Sequence, residues 1–110
     1  MSNVLEQIGS VVVVHVTGEV DMATEDQLRR TLAEAMAAAP AAVVLDLTGV
    51  TFFASAGLHV LVDVQHEATA RDLDLRVVAV TRAVLRTLEI TGVDQLVTVV
   101  GSLDQALTHS

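Results

Sequence analysis

The chain has 110 residues and a formal net charge of −8, set by 6 basic residues, all of them Arg, against 14 carboxylates. That length makes one ordinary domain, and 52% hydrophobic residues with only 18% charged exclude a disordered chain. No basic stripe exists to release counterions from nucleic acid or to hold an anionic membrane surface, and zero Cys excludes disulfides, Cys-zinc sites and thiol chemistry.

Residues 4–8 form a weak apolar/polar segment before Gly9 and Ser10, which suit a hairpin turn. The β-branched run from Val11 to Val16 predicts a strand near 11–17, covered on both faces and ended by Gly18. His15 inside it reads as a satisfied core or edge histidine. Thr24 followed by Gln27 is a capping-box pattern, with Glu25 and Asp26 in the first turn. Leu28, Leu32, Ala35, Met36 and Ala39 then recur at helical spacing, predicting a helix over 24–39 that Pro40 stops.

A second buried strand is expected over 42–47, then a loop over 48–53 and a helix over 55–71 with Leu58, Leu61, Val62 and Gln65 on one face. A third buried strand at 75–80 precedes a helix at 82–90, which turns Val84, Leu85 and Leu88 inward and closes at Gly92. A strand at 96–100 and a helix at 102–108 complete the chain. The order β-β-α-β-α-β-α-β-α argues a single α/β domain over 1–110, its central sheet mostly parallel with an antiparallel edge. Met1 to Glu6 carries no signal-peptide pattern, and the apolar runs are too short to span a bilayer. The expected setting is the cytoplasm, without membrane insertion.

Three groups of residues carry chemistry. Asp46 closes a buried strand and Ser55 opens the next helix, on the rim where open α/β sheets build their sites. A helix N-terminus tolerates a phosphoryl group, although Ser is equally a preferred N-cap. Asp21 follows the neighbouring strand, so both carboxylates are expected to approach Ser55 across one rim. His59, Asp63 and His66 share a helix face with Ser55 and read either as a hydrolase triad or as a metal site. Groups stacked along one helix do not converge on a common reacting atom, and a solvated face accounts for the same spacing. Of the adjacent Phe52 and Phe53, alternation sends one into the core and leaves the other near the surface.

The segment Leu45-Asp46-Leu47-Thr48-Gly49-Val50 followed by Ser55-Ala56-Gly57-Leu58 resembles the phosphorylation motif of the STAS domain of bacterial anti-sigma factor antagonists. Gly18-Glu19-Val20-Asp21 is similar to that family's Gly-Glu-Leu-Asp segment, and element order and length match over essentially the whole chain. One position departs: the family's Asp before the phosphoacceptor is Ala54 here. The resemblance implies a non-enzymatic switch with no cofactor of its own. Its unphosphorylated form would bind an anti-sigma factor of the serine-kinase type, freeing the sigma factor. That partner, supplying ATP and Mg²⁺, would phosphorylate Ser55. The implied contact surface comprises Asp21, Thr24, Asp46, Phe53, Ala54 and Gly57. The Ala54 departure leaves open a STAS subunit of a lipid-transport ABC system, which works without phosphorylation.

Overall fold

Gly9 and Ser10 turn the chain so that β1 (Ser2–Ile8) lies antiparallel on β2 (Val11–Val20), with Ile8 opposite Val11 and Ser2 opposite Thr17. The computed structural model describes residues 1–108; the last two positions of the expected 1–110 domain lie outside the described residues. After β2 come α1 (Glu25–Ala37), β3 (Ala42–Phe53), α2 (Ser55–Ala70), β4 (Asp74–Val78) and α3 (Arg82–Thr91). A 3₁₀ turn at Val93–Gln95, β5 (Thr98–Val100) and α4 (Leu103–Thr108) follow. The sheet order is β1-β2-β3-β4-β5, and every pair after the first is parallel.

The period of two along β2 decides what each face of the sheet meets. Val12, Val14, Val16 and Val20 point into the main core with Leu28 and Leu32 of α1, Leu58 and Leu61 of α2, and Val84 and Leu88 of α3. Val11 and Val13 point the other way, where α4 seals a smaller cluster of Val13, Val44, Val78 and Ala106. Each fully buried Val or Leu contributes roughly 1.5–3 kcal/mol, so burial of these strands outweighs any surface ion pair in holding the layers together. Arg76, buried on β4, is tied to Asp74 and to the Ala106 carbonyl, which anchors α4 to the second face.

Two boundaries differ from expectation in a way that moves the site. Gly18 does not end β2. It takes φ +89° inside the strand, where the register with β3 slips before Glu19, and the strand continues to Val20. Residues 48–53 are accordingly strand and not loop: β3 stays paired with this extension, Gly49 opposite Thr17 and Phe53 opposite Val20. Val50 and Phe53 turn into the core while Thr51 and Phe52 face solvent. Gly49, inside the expected loop, sits in a ladder where an added Cβ would lie 2.8 Å from the Thr17 methyl. At the other end of the chain, the expected strands at 75–80 and 96–100 are shorter, 74–78 and 98–100.

Candidate functional site

The lengthening of β3 separates the two aspartates expected to flank Ser55. Asp46 is half-way along the strand, opposite His15, and β3 runs on from it to Phe53 for about 20 Å of extended chain. It does not share a rim with Ser55. Its carboxylate is buried, with Oδ1 accepting from the Thr48 N–H at 3.0 Å and Oδ2 lying 2.7 Å from His15 Nδ1. Burial pushes the Asp46 carboxyl up, but hydrogen bonds from Thr48 and His15 outweigh it and hold the group below its usual 3.8.

Asp21 lies in the turn that the backbone joins to the start of α2. It follows Val20, whose carbonyl accepts from the Ala54 N–H at 2.9 Å, so the turn after β2 and the start of α2 are joined directly. Asp21 Oδ1 accepts from the N–H groups of Ala23 at 3.0 Å and Thr24 at 3.2 Å, an Asx turn that aims α1. Thr24 returns the bond by accepting from the Asp21 N–H at 3.0 Å. The capping box expected of Thr24 and Gln27 is therefore absent: the Thr24 hydroxyl is spent on Asp21 and on the Glu19 carbonyl, leaving no side-chain cap on α1.

Ser55 is exposed and is the first residue of α2; the N-cap is Ala54, with extended backbone at φ −89° and ψ 178°. Ser55 is thus not the helix cap. Ala54 has no side-chain acceptor to give, so the first amides of α2 open toward the rim beside the serine hydroxyl. Gly57 lets the helix start close down on the strand ends, because a Cβ there would stand 2.9 Å from both the Phe53 ring and Val20 Cγ1. Burial divides the residues of the expected contact surface. Phe53 is only 5% exposed and Gly57 is buried, so both shape the site from below, as Asp46 does not at all.

The exposed aromatic is Phe52, at 51%, and sequence reasoning also missed Met22, at 84%, in the turn beside Asp21. Phe52 was legible as the alternate of Phe53, had the strand been extended; Met22 carried no signal beyond being apolar in a turn. The histidine constellation does not assemble. Asp63 pairs with Arg29 of α1 at 2.8 Å, and among the described residues no hydrogen bond joins Ser55 to His59. Met22, Phe52 and Ser55 are exposed, and Asp21, Thr24 and Ala54 half-exposed, at the ends of β2 and β3 and the starts of α1 and α2; such a surface can dock a partner and present one hydroxyl to it.

The chain is 32% identical over 98 residues to the anti-sigma-F factor antagonist RsfB of Mycobacterium tuberculosis, covering 89% of this chain and 80% of that one. It superposes on the crystal structure of an anti-sigma factor antagonist from Mycobacterium paratuberculosis with a TM-score of 0.91 and 34% identity, over 97% of this chain and 91% of that one. SpoIIAA, a Bacillus cell fate determinant solved in its phosphorylated form, shares the fold at a TM-score of 0.73 and 17% identity, with 96% of each chain covered. The STAS domain family model matches residues 3–106, from β1 into α4, and the chain belongs to that family.

Proposed function

We propose that the protein is an anti-sigma factor antagonist whose binding is switched at Ser55. The observation that carries this reading is the exposed Ser55 hydroxyl at the first residue of α2, beside the Asp21 turn and the exposed Met22 and Phe52. The similarity to RsfB supports the class of partner, an anti-sigma factor. In this reading the partner is a serine kinase that brings its own ATP and Mg²⁺, and the setting is the cytoplasm.

The switch acts on binding and spares the fold. A phosphate on Ser55 adds about −1.5 to −2 charges at neutral pH. The uncapped amides of α2 accept that charge, which leaves the domain intact. An interface fitted to a neutral hydroxyl and flanked by Asp21 does not accept it. Dephosphorylation restores the surface.

Ala54 in place of the family Asp favours a second reading, a STAS subunit of a lipid-transport ABC system that needs no phosphorylation. One experiment separates the two. The chain is used as bait, and the captured partner is incubated with it, ATP and Mg²⁺ before an intact-mass measurement. Capture of an anti-sigma kinase with a single phosphate lost in Ser55→Ala supports the switch. Capture of an ABC ATPase with an unmodified mass supports the second reading.

A further inference from the structure

Glu6, His15 and Asp46 stand on three adjacent strands, β1, β2 and β3, on the sheet face that α4 covers only toward Val13, Val44 and Val78. His15 Nδ1 lies 2.7 Å from Asp46 Oδ2, and Nε2 lies 2.7 Å from Glu6 Oε1. An ionised carboxylate only accepts, so both ring nitrogens have to donate, and only the imidazolium carries two N–H groups. A neutral ring satisfies one carboxylate and turns a lone pair on the other. The bridge across the three strands is complete only with the proton bound.

We infer that His15 is a proton-operated latch on the edge strand β1: as the imidazolium it ties Glu6 to Asp46, and loss of its proton frees Glu6 and loosens β1 from the sheet. Which carboxylate lets go follows from burial. The Asp46 side chain is 11% exposed and keeps its Nδ1 donor, whereas the Glu6 side chain is 52% exposed and rehydrates readily. The hydrogen bond to Glu6 raises His15 above the usual 6.5; burial opposes this, and the bond and charge of Asp46 add to it.

Strand β1 is the element such a latch can move. It pairs on one edge only, Val4 and Leu5 are exposed, and beyond the ladder to β2 its side chains are held by the packing of Ile8 against the smaller cluster, by the Asn3–Thr31 hydrogen bond and by His15. Among the described residues, only Glu6 and Asp46 pair with His15. Among the described residues Glu6 comes from β1 and Asp46 from β3. On β4, Asp74 and Arg76 are paired with each other. From α4, Leu103, Ala106 and Leu107 reach this face while Asp104 is exposed. Release of β1 bares the hydrogen-bonding edge of β2, so proton loss converts a covered edge into an open one.

The test is a pH series of histidine-ring NMR titration with backbone hydrogen exchange, rates being corrected for the intrinsic pH dependence of exchange. His15 is expected to titrate above 6.5. Protection of the β1 amides is expected to fall by about tenfold for each pH unit by which Glu6→Gln lowers the His15 titration, while β3 amides, which exchange through global unfolding, stay more protected than β1 at every pH. Glu6→Gln is expected to lower the His15 titration and to flatten the β1 response. A His15 titration at or below 6.5 overturns the inference, and so does β1 protection that stays constant from pH 6 to 9. Equal protection factors in β1 and β3 at every pH overturn it as well, because β1 would then open only together with the whole domain.

Discussion

Asp21 lies just past the end of β2 and Asp46 inside the neighbouring β3, and the fold gives them opposite surroundings. Asp46 is buried in the sheet, with one oxygen on the Thr48 amide and the other on a histidine cation. Asp21 is half-exposed in a turn, where Oδ1 is occupied by two backbone amides and no cation approaches within ion-pair distance among the described residues. The first carboxylate is consumed by structure. The second keeps one oxygen that no described hydrogen bond uses, in a turn that follows Val20, itself bonded to the start of α2. What a carboxylate can do for a partner depends on how many of its lone pairs the chain itself has already used.

The largest effect is expected where that capacity is fully used. Asp46→Ala leaves the His15 cation with Glu6 alone and the Thr48 amide without an acceptor. The expected loss is about 2–3 kcal/mol, below the figure for a fully dry pair because His15 is partly exposed. Urea denaturation checks it, and affinity for the partner should not change beyond what unfolding explains. The pH dependence has a definite sign. His15 is raised from 6.5 when folded, so its contribution is complete below about pH 6.5 and is lost as pH rises through the folded value. Asp46 is lowered from 3.8, so its contribution is present above about pH 4 and is lost as pH falls through its folded value. Stability of the wild type should therefore peak between these limits, and the alkaline decline should vanish in His15→Gln. A stability maximum above pH 8 would contradict the His15 assignment.

At the rim, the effect shifts from folding to binding. Ser55→Asp places a charge where the proposed interface meets a neutral hydroxyl, and partner affinity is expected to fall about 30-fold, roughly 2 kcal/mol. Since Ser55 is the first helical residue and not the cap, neither Ser55→Asp nor Ser55→Ala should change the melting free energy by more than about 0.5 kcal/mol. Titration of both variants against the anti-sigma factor, with melts alongside, separates the two quantities. Equal affinity of wild type and Ser55→Asp would remove Ser55 from the interface.

One residue earlier, the expected change is a gain. Ala54 occupies an N-cap with no side-chain acceptor, and Ala54→Asp restores one to the amides of α2. Stabilisation by about 1 kcal/mol is expected. The same substitution reinstates the residue that the family carries before its phosphoacceptor, so the rate of phosphate incorporation at Ser55 should rise as well. Calorimetry reads the first effect and intact-mass time courses read the second. A stability gain without a rate gain would assign this position to capping alone.

Sequence pattern was sufficient for element order and for most of the core, because Val-rich runs and Leu spacing at 28, 32, 58, 61, 84 and 88 report burial locally. It failed where a second strand decided the outcome. Gly18 and Gly49 look like strand ends in isolation, and only their pairing across a slipped register keeps β2 and β3 extended to Val20 and Phe53. That error moved Asp46 onto the wrong rim and left Phe52 undistinguished from Phe53. It also hid the role of Gly57, which is set by the Phe53 ring. The bridge to His15 was partly legible: His15 and Asp46 each interrupt an apolar strand and each lies four residues into it, so parallel alignment of Val11 with Ala42 sets them side by side.

The smallest expected effect is the one that tests the contrast most directly. Asp21→Asn keeps an Oδ1 that can accept from Ala23 and Thr24, so the Asx turn survives and stability should change by less than about 0.5 kcal/mol. It removes one negative charge from a half-exposed rim. A charge at such an edge is worth about 0.2–1 kcal/mol to a partner, and affinity should fall about threefold, more at low salt than at high. Asp21→Ala removes the turn acceptor too, and should add a stability loss of about 1 kcal/mol to the same binding defect. If Asp21→Asn melts as readily as Asp21→Ala and binds like wild type, the charge matters to the turn and not to the partner. Asp21 would then stand with Asp46 as a carboxylate already spent on the fold.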